Sequence, residues 1–152
     1  MVELATYLPY LVNRLGQRFV SELSPALATQ GVGVQDWRVL IVLYQRGEQA
    51  VGSLSKLTSI NMSTLSRLIS RMADRGLVER CRGYDDARSV TVKLTETGTA
   101  LTEKILPSAT SIEDNATQEF TEAELATLRQ LLVKLYSGTV TSRDVADDRL
   151  AG

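Results

Sequence analysis

Two stretches of this chain hold side chains whose types and spacing suit one kind of chemistry. In MSTLSRLISRM (62–72), Ser63, Thr64, Ser66 and Ser70 accompany Arg67 and Arg71. Leu65, Leu68, Ile69 and Met72 recur between them at helical spacing. Small hydroxyl residues at a helix start can approach a groove floor and donate to base edges or phosphate, and the free amide N–H groups there favour anions. Arg67 and Arg71, one turn apart, lie on one face and can reach phosphate or a guanine edge. In CRGYDDARSVTVKL (81–94), Asp86 and Arg88 sit two apart in a charged turn and can share a side. A carboxylate there is unfavourable beside phosphate unless it holds the arginine through a charge-assisted bond. An arginine so held would read the width of a narrow minor groove. Both stretches point to a polyanion.

The charge distribution agrees, although the net charge of −1 hides it. Residues 56–93 carry eight basic and four acidic side chains, a balance of +4, and the remainder carries −5. A basic middle between acidic arms is expected when one region meets phosphate and the others do not. The chain has no histidine, which excludes His-based acid/base chemistry and His-rich metal sites. Its one cysteine, Cys81, cannot form an internal disulfide and fits a reducing compartment. The first residues show no basic leader before an apolar run, and no apolar run approaches the ~20 residues of a membrane span. The expectation is a cytoplasmic protein with no membrane segment, no cofactor and no catalytic residues.

The elements that must position these groups follow from periodicity. Leu4, Leu8, Leu11, Leu15, Phe19 and Leu23 predict a first helix, capped by Thr6, with Pro25 kinking or restarting it and Gly31-Val32-Gly33 ending it. A mostly apolar helix is predicted over Val34–Arg46. A short helix over Val51–Thr58 is expected to turn Leu54 and Leu57 inward. Asn61 then caps a helix over Met62–Arg75, which Gly76 ends. From there the period becomes two: Leu77–Arg82 and Arg88–Leu94 read as the strands of a hairpin. Thr95 caps a helix running toward residue 118, with Pro107 as a kink, and Thr121-Glu122-Ala123-Glu124 is a capping box for a last helix to about Tyr136. A helix-turn-helix followed directly by a hairpin predicts a mainly α fold with a small β wing. Residues 34–94 form its winged helix-turn-helix lobe, and residues 1–33 with 95–138 form a helical region from both chain ends. Residues 139–152 make a polar tail. The amphipathic terminal helices would leave apolar stripes bare in a monomer, which marks an interface and predicts a homodimer.

These motifs carry a resemblance. STLSRLISRMADRGLVER (63–80), the D-x-R of Asp86-Ala87-Arg88 and LTETG (94–98) resemble the MarR family of bacterial transcription regulators, and the likeness extends over roughly residues 4–138. The resemblance implies a homodimer whose terminal helices form the interface and whose two lobes bind double-stranded DNA at a pseudo-palindrome. It implies groove contacts for Met62, Ser63, Thr64 and Arg67, with Arg71 on the same helix, and a wing pair in Asp86 and Arg88. Met62 stands where members often have a polar or basic residue, and it either meets a thymine methyl or packs inward. Ala87 replaces what is often a second arginine, for which Arg82 would compensate.

The resemblance also implies a repressor released by a small molecule, often an aromatic carboxylate, bound between the dimer helices and the lobe. Tyr7, Tyr10, Arg14 and Arg18 on the first helix, with Trp37 and Arg38 on the second, supply aromatic faces and guanidinium groups for an anionic aromatic ligand. YLPYLVNRL and QDWRVL look like a branch that responds to hydroxycinnamates and related acids or their coenzyme A thioesters, whose phosphates would suit Arg14 and Arg18. The bland reading has Trp37 in the core and Arg38 in a structural ion pair. Three alternatives stand beside this one. A redox regulator would use Cys81, its thiolate favoured by Arg80 and Arg82, although the peroxide-sensing members carry their cysteine near the first helix. A winged helix can also serve as a protein-interaction module without DNA binding. An enzyme comes third, lacking converging carboxylates or a phosphate-cradling glycine loop.

Overall fold

The computed structural model describes residues 3–82 and 90–139. Its order is α1 (Leu8–Thr29), α2 (Val34–Arg46), β1 (Gln49–Ala50), α3 (Val51–Thr58), α4 (Met62–Asp74), β2 (Val78–Arg82), β3 (Val90–Leu94), α5 (Glu96–Thr117) and α6 (Glu122–Thr139). It is mainly helical, as the periodicities predict, and the predicted hairpin belongs to a three-stranded antiparallel sheet. The chain divides into two compact units, residues 1–112 and 113–152.

In the first unit, the caps set the elements. Asp36 accepts the Gly33 N–H at 2.8 Å to start α2, and Gly47 at φ +71° ends it. Asn61 accepts the Thr64 N–H at 2.9 Å to start α4, and Gly76 at φ +69° lets the chain turn from α4 into β2. The sheet order is β1-β3-β2, with Gln49 opposite Val92 and Arg80 opposite Val92 from the other flank. β1, two residues long, has no legible alternation, and the sequence did not suggest it. The core gathers Leu27, Trp37, Val39, Leu40, Leu43, Leu54, Leu65, Leu68, Ile69, Met72, Val92 and Ile105 from α1, α2, α3, α4, β3 and α5.

Four expectations change. Thr6 does not cap α1: its hydroxyl bonds the Glu3 carbonyl, and Tyr7 is the cap residue with Pro9 in the first turn, where a missing N–H leaves no bond unmade. Helix α1 does not restart at Pro25, because half-buried Leu23 and buried Leu27 hold both sides of it against the core. Leu57 does not turn inward: the inner face of α3 is taken by Leu54 and Thr58, and Leu57 is 43% exposed. The first strand of the hairpin begins one residue later than predicted, at Val78, and the predicted start of the second at Arg88 lies outside the described residues.

The start of α5 is clamped to the junction between α4 and β2. Thr95 donates its hydroxyl to the Gly76 carbonyl at 2.6 Å and accepts the Gly98 N–H at 3.0 Å, while its own N–H reaches the Leu77 carbonyl at 3.2 Å. A Cβ on Gly98 would lie 2.0 Å from the Leu77 carbonyl oxygen, so only glycine fits. The LTETG motif is therefore a packing device as well as a helix start. In the second unit, Thr121 and Glu124 form the expected capping box, the Glu124 carboxylate accepting from the Thr121 N–H and hydroxyl at 2.8 Å each. Those bonds hold the Glu124 carboxyl below the usual carboxylate range.

Candidate nucleic-acid interface

Helix α4 is sharply two-faced. Leu65, Leu68, Ile69 and Met72 are buried, while Met62, Ser63, Ser66, Arg67, Ser70 and Arg71 are exposed and Thr64 is half-buried. The helix-turn-helix geometry behind it is tight: Ser59 takes a left-handed φ of +55° between α3 and α4, and the Ser55 hydroxyl donates to the Ile60 carbonyl at 2.6 Å. At the amino end, the Asn61 side chain accepts both the Thr64 N–H and the Ser63 hydroxyl at 2.9 Å. That fixes the Ser63 side chain beside the first turn, where free amide groups favour a phosphate oxygen. Met62, at 50% exposure, does not pack inward, which leaves the apolar groove contact as its reading.

Arg67 and Arg71 project from the exposed face, as expected. The residue that sequence reasoning missed is Arg80. From β2 its Nη2 donates to the Ser70 hydroxyl at 2.8 Å and to the Ser66 carbonyl at 3.1 Å, tying the strand to the outer side of α4. A signal was available: Arg80 shares the parity of buried Val78 and faces buried Val92 across the ladder, so its side chain leaves the sheet on the helix side. Asp86 and Arg88, the expected wing pair, lie outside the described residues, as does the side chain of Arg82.

Strand parity also bears on Cys81. It lies opposite Thr91, on the face shared by Glu79 and Lys93, whereas Arg80 is directed to α4. Adjacency in sequence therefore does not put the Arg80 guanidinium on the thiol's face of the sheet. A cation on the cysteine's side is Lys93, already bonded to Glu79 at 2.8 Å, and this carboxylate raises the pKa of the Lys93 ammonium. Thr91 on the same face donates to the Glu48 carboxylate.

The proposed ligand residues are only partly brought together. On α1 the Arg14 guanidinium lies 5.5 Å from the centre of the Tyr10 ring, and Arg18 one turn on pairs with Glu22. Leu11, Arg14, Leu15, Gln17 and Arg18 line an open depression on that helix. Tyr7 is exposed one turn earlier. Trp37 is in the core, packed with α2's other inner residues, and Arg38 is exposed on the opposite side of α2, so this pair does not join the α1 cluster as one surface. The α1 stripe changes character along its length: Leu8, Leu11 and Leu15 are exposed, Phe19 and Leu23 half-buried, and Leu27 buried. On α6 no residue is buried, and Leu131, Leu132, Val133, Leu135 and Tyr136 are exposed. No described helix is long and apolar enough to cross a membrane. Among the described residues no three His, Cys, Asp or Glu side chains are grouped to hold a metal ion.

Comparison with known proteins places this geometry. The sequence profile described as MarR family matches residues 30–89, the span from just after α1 to just before β3. The multiple antibiotic resistance protein MarR of Salmonella typhimurium is 31% identical over 128 residues, 83% of this chain and 86% of that protein. The crystal structure of a mutant MarR from E. coli complexed with operator DNA superimposes with a TM-score of 0.74 at 27% identity, covering 86% of this chain and 94% of that one. The structure of Bordetella bronchiseptica BpsR, described as explaining regulation of its DNA binding by 6-hydroxynicotinic acid, gives 0.73 at 27% identity, covering 84% and 97%. With its winged helix-turn-helix, its two-faced α4 and a relative this similar over most of both sequences, the chain belongs to the MarR family of transcription regulators.

Proposed function

We propose that this protein is a homodimeric repressor that binds a pseudo-palindromic operator and leaves it when a small anionic aromatic acid, or its coenzyme A thioester, binds. The observation that carries the DNA reading is the division of α4 into a fully buried leucine-rich face and an exposed face of hydroxyl and guanidinium groups. Met62, Ser63, Thr64, Arg67 and Arg71 contact the major groove and its flanking phosphates, and Arg82, Asp86 and Arg88 serve the adjacent minor groove. The operator-bound MarR structure supports this assignment by its likeness in fold.

The dimer reading rests on α1 and α6. Leu8, Leu11 and Leu15 continue the same stripe that Leu27 ends in the core, yet none of the described residues of the first unit covers them. Residues 1–33 and 95–138 are the dimerisation region in this reading, and 34–94 the DNA-binding lobe. Two lobes related by a twofold axis then meet half-sites about 10 bp apart, one turn of the duplex. For the effector, the stacked Tyr10 and Arg14 with neighbouring Arg18 and Tyr7 supply an aromatic face and cations for a carboxylate, and BpsR's response to an aromatic acid supports that chemistry.

The test is a titration of duplex DNA, selected by the protein from a randomised library, at several salt concentrations. A steep loss of affinity with salt is expected, and Arg67→Ala should both weaken binding and reduce the slope by about one charge. A flat response would remove the DNA reading and favour an interaction module. Release of that duplex by aromatic acids or their thioesters tests the effector.

A further inference from the structure

One contact on the exposed side of α4 is not explained by groups that read DNA. Arg80 leaves the wing strand and donates through Nη2 to the Ser70 hydroxyl at 2.8 Å and the Ser66 carbonyl at 3.1 Å. The Ser70 hydroxyl donates to that same carbonyl at 3.1 Å, which leaves its lone pairs for the guanidinium. Three groups thus close a small ring between the second and third turns of α4 and the strand that leads into the wing turn. Along the body of α4 the other hold among the described residues is its buried stripe, and hydrophobic burial is non-directional. A guanidinium bond to two fixed acceptors is directional.

We propose that Arg80 is a positioning residue for DNA recognition: it fixes the roll of α4 about its own axis relative to the wing, and makes no phosphate contact of its own. The inference rests on the DNA reading above. Arg67 and the wing must meet neighbouring grooves of one duplex simultaneously, and a helix free to roll on its leucines would satisfy one at the expense of the other. Ser66 and Ser70, which by composition belong to the polar reading face, are in this view partners of Arg80. Ser63 and Thr64 remain as the hydroxyls that face the groove.

The test is a double-mutant cycle on the selected duplex, with affinity measured across salt concentrations for the unsubstituted protein, Arg80→Ala, Ser70→Ala and the double variant. Arg80→Ala should bind about tenfold more weakly and Ser70→Ala about fivefold, the double variant no more weakly than Arg80→Ala, with every salt slope unchanged and melting temperatures within about 2 °C. A slope reduced by about one charge in Arg80→Ala, with Ser70→Ala at full affinity, would make Arg80 a phosphate ligand and overturn the proposal. Undiminished affinity in all variants, or losses that track melting temperature, would overturn it too. If the unsubstituted protein selects no duplex, the DNA reading fails at the first step and takes this inference with it; selection followed by any of the other outcomes removes the inference alone.

Discussion

The close approach at Gly98 can be tested by one methyl group. In Gly98→Ala the new Cβ would sit 2.0 Å from the Leu77 carbonyl oxygen, 3.0 Å from its carbon and 3.2 Å from Leu94 Cδ2. Relief requires α5 and the β2 start to separate by roughly 1 Å, in an interior packed as densely as an organic crystal. The carbonyl that must yield is the acceptor of the Thr95 N–H, and the adjacent Gly76 carbonyl accepts the Thr95 hydroxyl. Overpacking of this kind costs about 1–3 kcal/mol, and weakening two hydrogen bonds adds about 1 kcal/mol each. The sum, about 3–5 kcal/mol, is a large fraction of the ~5–15 kcal/mol that stabilises a typical domain. For a chain of this size it corresponds to a fall in melting temperature of about 10 °C or more. Thermal and urea denaturation at fixed protein concentration measure it. Gly16→Ala is the control: nothing lies within 4 Å of its Cβ position, and removing a helical glycine should stabilise by up to about 1 kcal/mol. A Gly98→Ala protein that melts within about 2 °C of the parent would refute the clamp.

Other expectations are more local. Asn61→Ala should lose about 1 kcal/mol in urea denaturation through the missing cap of α4, whereas Asn61→Asp keeps an acceptor and should lose little. It should also weaken DNA binding, since Ser63 loses the partner that orients it. Leu11→Glu places a charge in the bare part of the α1 stripe, and analytical ultracentrifugation should report monomers in place of dimers; a dimer that survives would move the interface elsewhere. The Glu124 carboxyl should titrate below an ordinary glutamate when followed by NMR. Because its folded pKa is depressed, its contribution is present above the unfolded value and is lost as pH falls through the folded one, so the start of α6 should loosen in acid and not in base.

How much was legible before any coordinates depended on whether the signal was local. Asn61, Gly76, Thr95 and Thr121 announce helix ends by chemistry that acts within four residues, and those boundaries match within a residue or so. The buried face of α4 was readable from spacing alone. What a one-dimensional pattern lacks is the partner. The α1 stripe looks the same at Leu11 and at Leu27, though only Leu27 finds its own chain's core. Leu57 has the spacing of an inward residue, and its exposure follows from how α3 sits between its neighbours. Arg80 was visible as one more basic residue, but Ser66 and Ser70 lie fourteen and ten positions away, and only the strand-to-helix geometry joins them. Trp37 shows the reverse: a ring that suits a ligand by type is occupied by the core.

The two-residue strand Gln49–Ala50 changes how the sheet can come apart. A hairpin alone in water is marginal, and its central hydrogen bonds fray readily. Here β3 is flanked on both sides, by β2 from after α4 and by β1 from before α3. Peeling Val92 away requires breaking pairs that belong to opposite ends of the helix-turn-helix, so amide exchange at the middle of β3 should follow the opening of the helical core and not that of an isolated β-ribbon.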